Sequence, residues 1–160
     1  MKIRLATQKD IDAIFEVYER ARGFMRDNGN PTQWGSTYPP ESLVKSDIAG
    51  NHLYLLESDS GDIEGVFALF EEGDPDYNEI DGAWLNDEPY AAVHRIASAG
   101  KSKGIFTHIL DFCLQRSRNL KIDTHKQNTV MQHVLKKHGF KECGIITADG
   151  LPFIAFQLCK

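Results

Sequence analysis

Residues 94–110 read "HRIASAGKSKGIFTHIL", and the fold turns on what the stretch from Ala99 to Phe106, "AGKSKGIF", can hold. Gly100-Lys101-Ser102 matches the tail of a nucleotide-binding loop, and "IFTHIL" after it opens an apolar pattern of helical spacing. Three readings compete: an ATP or GTP loop, a coenzyme A loop, and a plain surface turn. A Walker-type loop needs a further glycine, five positions before the glycine of Gly-Lys-Ser, so that the backbone can wrap the phosphates. That position is Arg95, inside the strand-like run "AAVHRIAS", and the triphosphate reading fails there. A coenzyme A loop requires less: successive backbone amides at a helix N-terminus, a glycine for close approach, and cations nearby. Lys101, Lys103 and Gly104 meet that description, although Gly and Lys before a helix also occur in ordinary turns.

Working outward, "LKIDT" reads as a short strand. Val130, Met131, Val134 and Leu135 form the apolar face of a helix that stops at Gly139, placed as a left-handed cap before Phe140. "FKECGIITADGLPFIAFQL" reads as a hairpin turning at Ala148-Asp149-Gly150. At the other end, "KIRLAT" is a strand, and Thr7 with Asp10 marks a helix start. That helix carries Ile11, Ile14, Phe15, Val17 and Tyr18 and runs towards Phe24 and Met25. "DNGNPTQWGSTYPP" must be a loop, followed by a short helix "ESLVKSDIA" and a hairpin from "HLYLLES" and "IEGVFALFEE". "GDPDYNEIDGAWLNDEP" reads as a long polar insert. The predicted order is β-α-α-β-β-β-α-β-α-β-β, a single α/β domain over residues 1–160 with a mixed sheet.

The 160 residues are 41% hydrophobic and 26% charged, as in ordinary globular proteins. No apolar run is long enough to span a bilayer, and "MKIRLATQKD" lacks the core of a signal peptide. The three cysteines, Cys113, Cys143 and Cys159, have neither disulfide-framework nor zinc spacing, so free thiols in the cytoplasm are expected. The net charge of -5 conceals a strong asymmetry. Ser46 to His94 holds thirteen acids and no Lys or Arg, whereas Arg95 to Lys141 holds ten Lys and Arg against two acids. A polyanion suits the second half and a cation the first. No nucleic-acid or membrane partner is expected.

Taken together, these elements resemble the GCN5-related N-acetyltransferases (GNAT), in particular a bacterial branch. The family's loop has Arg or Gln, two free residues, Gly, one free residue, then Gly or Ala. It falls on Lys101, Ser102, Lys103, Gly104, Ile105 and Phe106, where the central glycine matches and the two end positions depart. Asn128 followed by "MQHVLKKHGF" resembles the helix that flanks the coenzyme, and "IRLATQKDIDAIFEVY" resembles the first strand and helix. The likeness covers nearly the whole chain. It implies a central, mostly antiparallel twisted sheet flanked by helices, acetyl-CoA as co-substrate, and acetyl transfer to a primary amine. It also implies that the backbone of Ile96, Ala97 and Ser98 pairs with the pantetheine arm. Amides from Lys101 to Phe106 would receive the pyrophosphate, with Asn128 beside the arm. Homodimers are frequent in the family.

The catalytic groups are less determined. Many relatives use a tyrosine in the late helix as general acid; here that position is Leu135. For a general base, His94 is the first candidate and His125 the second, because histidine titrates near neutrality. Acids from "EEGDPDYNEIDG" acting through water are an equal alternative. Trp34 and Tyr38 lie in the loop where family members build the acceptor pocket, or else they pack that loop onto the core. The acidic first half would attract a cationic small-molecule or peptide amine, or form a solvated rim. No histidine or cysteine pattern has metal-ligand spacing, and no metal is expected. The expected activity is acetyl transfer; the alternative is an acyl-CoA-binding module of the same fold without turnover.

Overall fold

The structure, a computed structural model, describes every residue from Met1 to Lys160. Eight strands and four helices follow one another as β1 (Lys2–Leu5), α1 (Ile11–Asp27), α2 (Glu41–Ala49), β2 (Leu53–Glu57), β3 (Ile63–Phe70), β4 (Asp81–Gly82), β5 (Ala91–Ser98), α3 (Ile105–Leu114), β6 (Asn119–Thr124), α4 (Thr129–Lys137), β7 (Lys141–Ala148) and β8 (Leu151–Cys159). The predicted order holds, with one addition. The insert is not a bare loop: it contains a 3-10 turn at Pro75–Asn78 and the two-residue β4, which pairs with β7. Nothing in the local composition marks β4, because its pairing partner lies some sixty residues downstream, at Gly144 and Ile145.

All strands join one sheet in the order β1-β2-β3-β5-β6-β8-β7-β4, antiparallel everywhere except between β5 and β6. The β7–β8 hairpin turns at Asp149 and Gly150, both at positive φ (50° and 75°), the backbone that a two-residue Asp-Gly turn requires. One face of the sheet packs against α3, where Phe67, Leu69, Val93, Ile109, Leu120 and Phe156 form the larger core. The other face is shared. Ile14, Val17 and Tyr18 of α1, with Val44 and Ile48 of α2, cover Leu55, Val66, Ala68 and Ala97. The insert covers the remaining part, with Tyr77 fully buried against Ala92, Ile146 and Ala155. No helix is long and apolar enough to cross a membrane.

Two irregularities of β5 open this sheet at its centre. First, β5 and β6 pair only through Ala91–Leu120 and Ala92–Lys121, and then part. Parallel pairing is somewhat weaker per residue than antiparallel pairing, so such a seam is where a sheet can divide. Second, the register between β3 and β5 slips: Ala68 faces His94, but Val66 faces Ala97. The extra residue makes a bulge at Arg95, which adopts a left-handed backbone with φ 50°. A bulge turns two consecutive side chains to one face. His94 accordingly meets the insert at Asp74, and Arg95 meets Asp47 of α2 at 2.7 and 2.9 Å. Removing either partner of so enclosed an ion pair would cost roughly 3–5 kcal/mol, more than the 1–3 kcal/mol of strain that the bulge stores.

Candidate functional site

The parting of β5 from β6 leaves a wedge, and the candidate site lies in and around it. Beyond Ala92, the β6-facing edge of β5 has no strand partner, while Ala97 and Ser98 still pair on the other side with Val66 and Gly65 of β3. Ile96, Ala97 and Ser98 therefore present one bonded and one open edge.

From this edge the chain enters the loop before α3. The N–H of Gly100 donates to Ser98 Oγ at 3.1 Å, and His108 is the first residue whose N–H bonds back into the helix, to the Gly104 carbonyl at 3.3 Å. Between them the amides of residues 101–107 have no acceptor in the fold. Such a run at a helix N-terminus favours an anion through both hydrogen bonding and the helix dipole. Gly104 supplies the turn with φ 76°, and a Cβ there would point into open space. The side chains of Lys101 and Lys103 are exposed beside it, with Ser102 half-buried between them. These features fit a pyrophosphate.

Phe106 does not obstruct this cradle. Its ring packs edge-on against His138 at 5.0 Å between centroids and lies 6.4 Å from Phe140. Thr107, one position on, bonds His138 through its hydroxyl at 3.2 Å. The bulky residue thus ties α3 to the end of α4. Ile105 is buried in the core beneath. The charge excess of this half is also smaller at the cradle than composition implied. Arg95 is committed to Asp47, Arg116 stacks on Phe112 at 3.6 Å, and Lys121 is buried between Trp84 and Tyr90, 4.0 and 3.9 Å from the ring centres.

At the start of α4, the Asn128 side-chain Oδ1 caps the helix by accepting the Met131 N–H at 3.0 Å. Its amide donates to Gln33 at 3.1 Å, and Thr32 bonds Gln127 at 2.8 Å. The loop between α1 and α2 therefore reaches across to the head of α4. Within that loop Trp34 is buried between Tyr18 and Tyr38, at 5.5 and 5.9 Å, and belongs to the core. Tyr38 is half-buried, and its carbonyl accepts Arg22 at 2.9 Å. Packing onto the core, rather than an open pocket wall, describes Trp34. Leu135 is fully buried in the core, so that position turns no proton donor to the wedge.

On the insert side of the bulge lies a polar cluster. His94 Nε2 is 2.7 Å from Asp74 Oδ2, and His94 Nδ1 is 3.9 Å from Asp123 Oδ2 across the wedge. The Tyr77 hydroxyl donates to the same Asp123 oxygen at 2.6 Å. The bond from His94 holds the Asp74 carboxyl below its ordinary value, whereas burial pushes the Asp123 carboxyl and the Tyr77 phenol up. An ionised Asp74 only accepts, so in the neutral ring the bonded Nε2 of His94 carries the proton and Nδ1 is the lone pair facing the gap. His125 stands apart. Its Nδ1 accepts the Gln127 N–H at 3.1 Å, its ring rests against Phe153, and it shares no contact with the His94 cluster. Asp74 falls within the acidic segment that the sequence offered as an alternative, but Asp123, Tyr77 and Tyr90 had no place in that reading. One signal was available. "NLKIDT" alternates buried apolar residues with Asn119, Lys121 and Asp123, a polar face on a central strand that demands a polar cover.

With this geometry in view, the known proteins decide the family. No protein-family model matches the chain, and no curated protein matches it. Among solved structures, an acetyltransferase of the GNAT family from Streptococcus agalactiae 2603 is 30% identical, with a TM-score of 0.88, over 99% of this chain and 95% of that one. The chain belongs to the GNAT family. Another GNAT acetyltransferase, from Listeria monocytogenes 4b F2365, has the same fold at 17% identity, with a TM-score of 0.73 over 99% and 94% of the two chains. A Staphylococcus aureus Mu50 protein is 26% identical at a TM-score of 0.71 over 99% of each chain. GNAT acetyltransferases use acetyl-CoA, and the open strand edge and free amides described above are what such a co-substrate needs.

Proposed function

We propose that the protein transfers an acetyl group from acetyl-CoA to a cationic primary amine, with His94 as proton acceptor. The observation that carries this reading is the pairing of His94 Nε2 with Asp74 at 2.7 Å, which leaves Nδ1 free at the point where the sheet divides. The edge of Ile96 to Ser98, the amides of Lys101 to Phe106, the Lys101 and Lys103 ammoniums and the Asn128 amide would hold the co-substrate. Acetyl-CoA, when bound, supplies the thioester that an amine attacks.

The chain's own part is alignment and proton handling. An amine reaches the site as an ammonium ion and must lose a proton before it can attack. The carboxylates of Asp74 and Asp76 draw the cation in, and His94 Nδ1 takes its proton. Asp74 keeps the other ring nitrogen protonated, and so fixes which nitrogen acts. A thiolate is a stable enough leaving group to depart without a tyrosine acid, which accommodates the burial of Leu135. His125, engaged in the turn before α4, takes no part in this scheme.

The test is release of free thiol from acetyl-CoA across a panel of primary amines, from simple diamines to lysine-containing peptides. Steady release with at least one cationic amine is expected. Tight acetyl-CoA binding with no release from any of them would make the chain a binding module.

A further inference from the structure

Asp74 sits on the insert, a segment with almost no regular structure, yet it must hold a carboxylate within hydrogen-bonding distance of His94. The structure shows what restrains it. The Tyr90 hydroxyl accepts the Asp74 N–H at 3.1 Å and donates to the Asp74 carbonyl at 2.9 Å. One side-chain oxygen thereby fixes both backbone groups of the residue whose carboxylate orients the imidazole. The Tyr90 ring is also pinned. Gly73 lies against it so closely that a Cβ would come within 2.9 Å of the ring. Lys121 places its ammonium 3.9 Å from the ring centre. The carbonyl of Pro89, the preceding residue, accepts the Asn119 amide at 3.2 Å. Tyr90 is thus anchored to the central strand β6 through two residues of its polar face.

We infer that Tyr90 is a positioning residue, acting through Asp74 to set the orientation and tautomer of His94. It touches neither substrate nor reacting atoms. Its hydroxyl decides where the Asp74 backbone stands, and the carboxylate follows. The inference rests on the reading of His94 given above, but its physical content concerns the resting protein and can be measured there.

The groups facing the imidazole are Asp74, Asp76 and Tyr77 of the insert, Asp123 of β6, Arg95 of its own strand and the Phe70 ring of β3. Among these, Asp74 alone bonds it directly, and an ionised carboxylate can only accept, so it favours the neutral tautomer with the proton on Nε2. Loosening Asp74 should therefore admit the other tautomer. The measurement is the ring 15N shifts of neutral His94 in protein labelled with 15N at histidine, which separate the two tautomers, together with the melting temperature. In Tyr90→Phe, which keeps the ring and its packing, the share of the Nδ1-protonated tautomer should rise by about threefold or more. The melting temperature should fall by no more than about 5 °C. Gly73→Ala, which drives a methyl group into the ring, should move the tautomer share in the same direction. Asp74→Asn should move it at least as far, and adding Tyr90→Phe to Asp74→Asn should move it no further. A folded Tyr90→Phe protein with the wild-type tautomer share overturns the inference, as does a full second shift in the double variant. Full acetyl transfer by His94→Gln would overturn the proton-acceptor role instead and leave these tautomer shares untouched.

Discussion

The loop before α3 and the cluster on the insert lie on either side of the same bulge, and they are built on opposite principles. The loop is unfinished: amides 101–107 find no acceptor, and Gly104 leaves open space where a side chain would stand. The cluster is finished: Asp74, His94, Asp123, Tyr77 and Tyr90 bond chiefly to one another. Unfilled donors belong to a part that binds, because a ligand must supply what the fold withholds. A self-satisfied polar cluster belongs to a part that must keep its geometry whether or not a ligand is present. The one exception within it, the Nδ1 lone pair of His94, is where we place the chemistry.

The sharpest way to separate the two regions is to damage one and measure the other. His94→Gln keeps a polar side chain of similar reach but cannot accept a proton. Acetyl transfer should fall by roughly a hundredfold or more, the lower end of what a positioned general base contributes. The loss should be greatest below pH 7.5, where less of the amine has lost its proton unaided. Acetyl-CoA affinity by calorimetry should stay within about twofold, because no loop amide moves. A rate loss accompanied by an equal affinity loss would mean that the two regions are one.

Gly104→Val is the converse. A β-branched residue at φ 76° is strained by about 1–2 kcal/mol, and its side chain would occupy the space that a phosphate must approach. Acetyl-CoA affinity should drop about tenfold or more by calorimetry, a loss of about 1.4 kcal/mol or more. The His94 tautomer should be unaltered. Unchanged affinity would place the phosphates elsewhere.

The two regions also differ in how far they could be read from the chain. The loop is local: glycine, lysines and the helix that follows stand within one short stretch, so "AGKSKGIF" carries its own evidence. The order of strands and helices along the chain was legible for the same reason, since periodicity and turn residues act between neighbours; the order of strands within the sheet was not read from it. The cluster is assembled from distant segments. His94 and Asp74 are 20 residues apart, Arg95 and Asp47 are 48 apart, and Tyr77 and Asp123 are 46 apart. No spacing rule joins such pairs, because a bulge and a strand that parts from its neighbour decide them. The insert looked like a solvated acidic loop for a related reason. Its acids are mostly exposed, and Tyr77, the aromatic side chain that buries its first half, is covered by strands far along the chain. Phe106 shows the reverse case: by motif it departs from the loop, yet its ring packs against His138.

Within the cluster, Asp123 offers a smaller effect with a definite sign. Burial raises its carboxyl above the ordinary value of 3.8, so the folded state holds a proton that the unfolded chain releases. Across the interval that starts near pH 4 and runs up to its folded value, the native state binds more protons. Its contribution to stability is therefore largest at the acid end and declines as pH rises. Asp123→Asn removes the titration while keeping an oxygen for the Tyr77 hydroxyl. Denaturant unfolding between pH 4 and 7 should show a flatter dependence in the variant, by on the order of 1 kcal/mol over the range. An unchanged slope would show that Asp123 is ionised in both states.

The smallest effect is expected from Phe106→Ala, and it probes the loop where the sequence looked weakest. The ring's partners, His138 and Phe140, are at the far end of α4. Removing a half-buried aromatic ring should lower stability by roughly 1–3 kcal/mol, less than for a fully enclosed one. The amide at position 106 survives the substitution, so the anion site keeps every donor it had. Acetyl-CoA affinity should accordingly remain within about twofold while the melting temperature falls. Were affinity to fall tenfold instead, the side chain and not the backbone would be shaping the site, and the likeness of this loop to an unfilled amide cradle would need a different explanation.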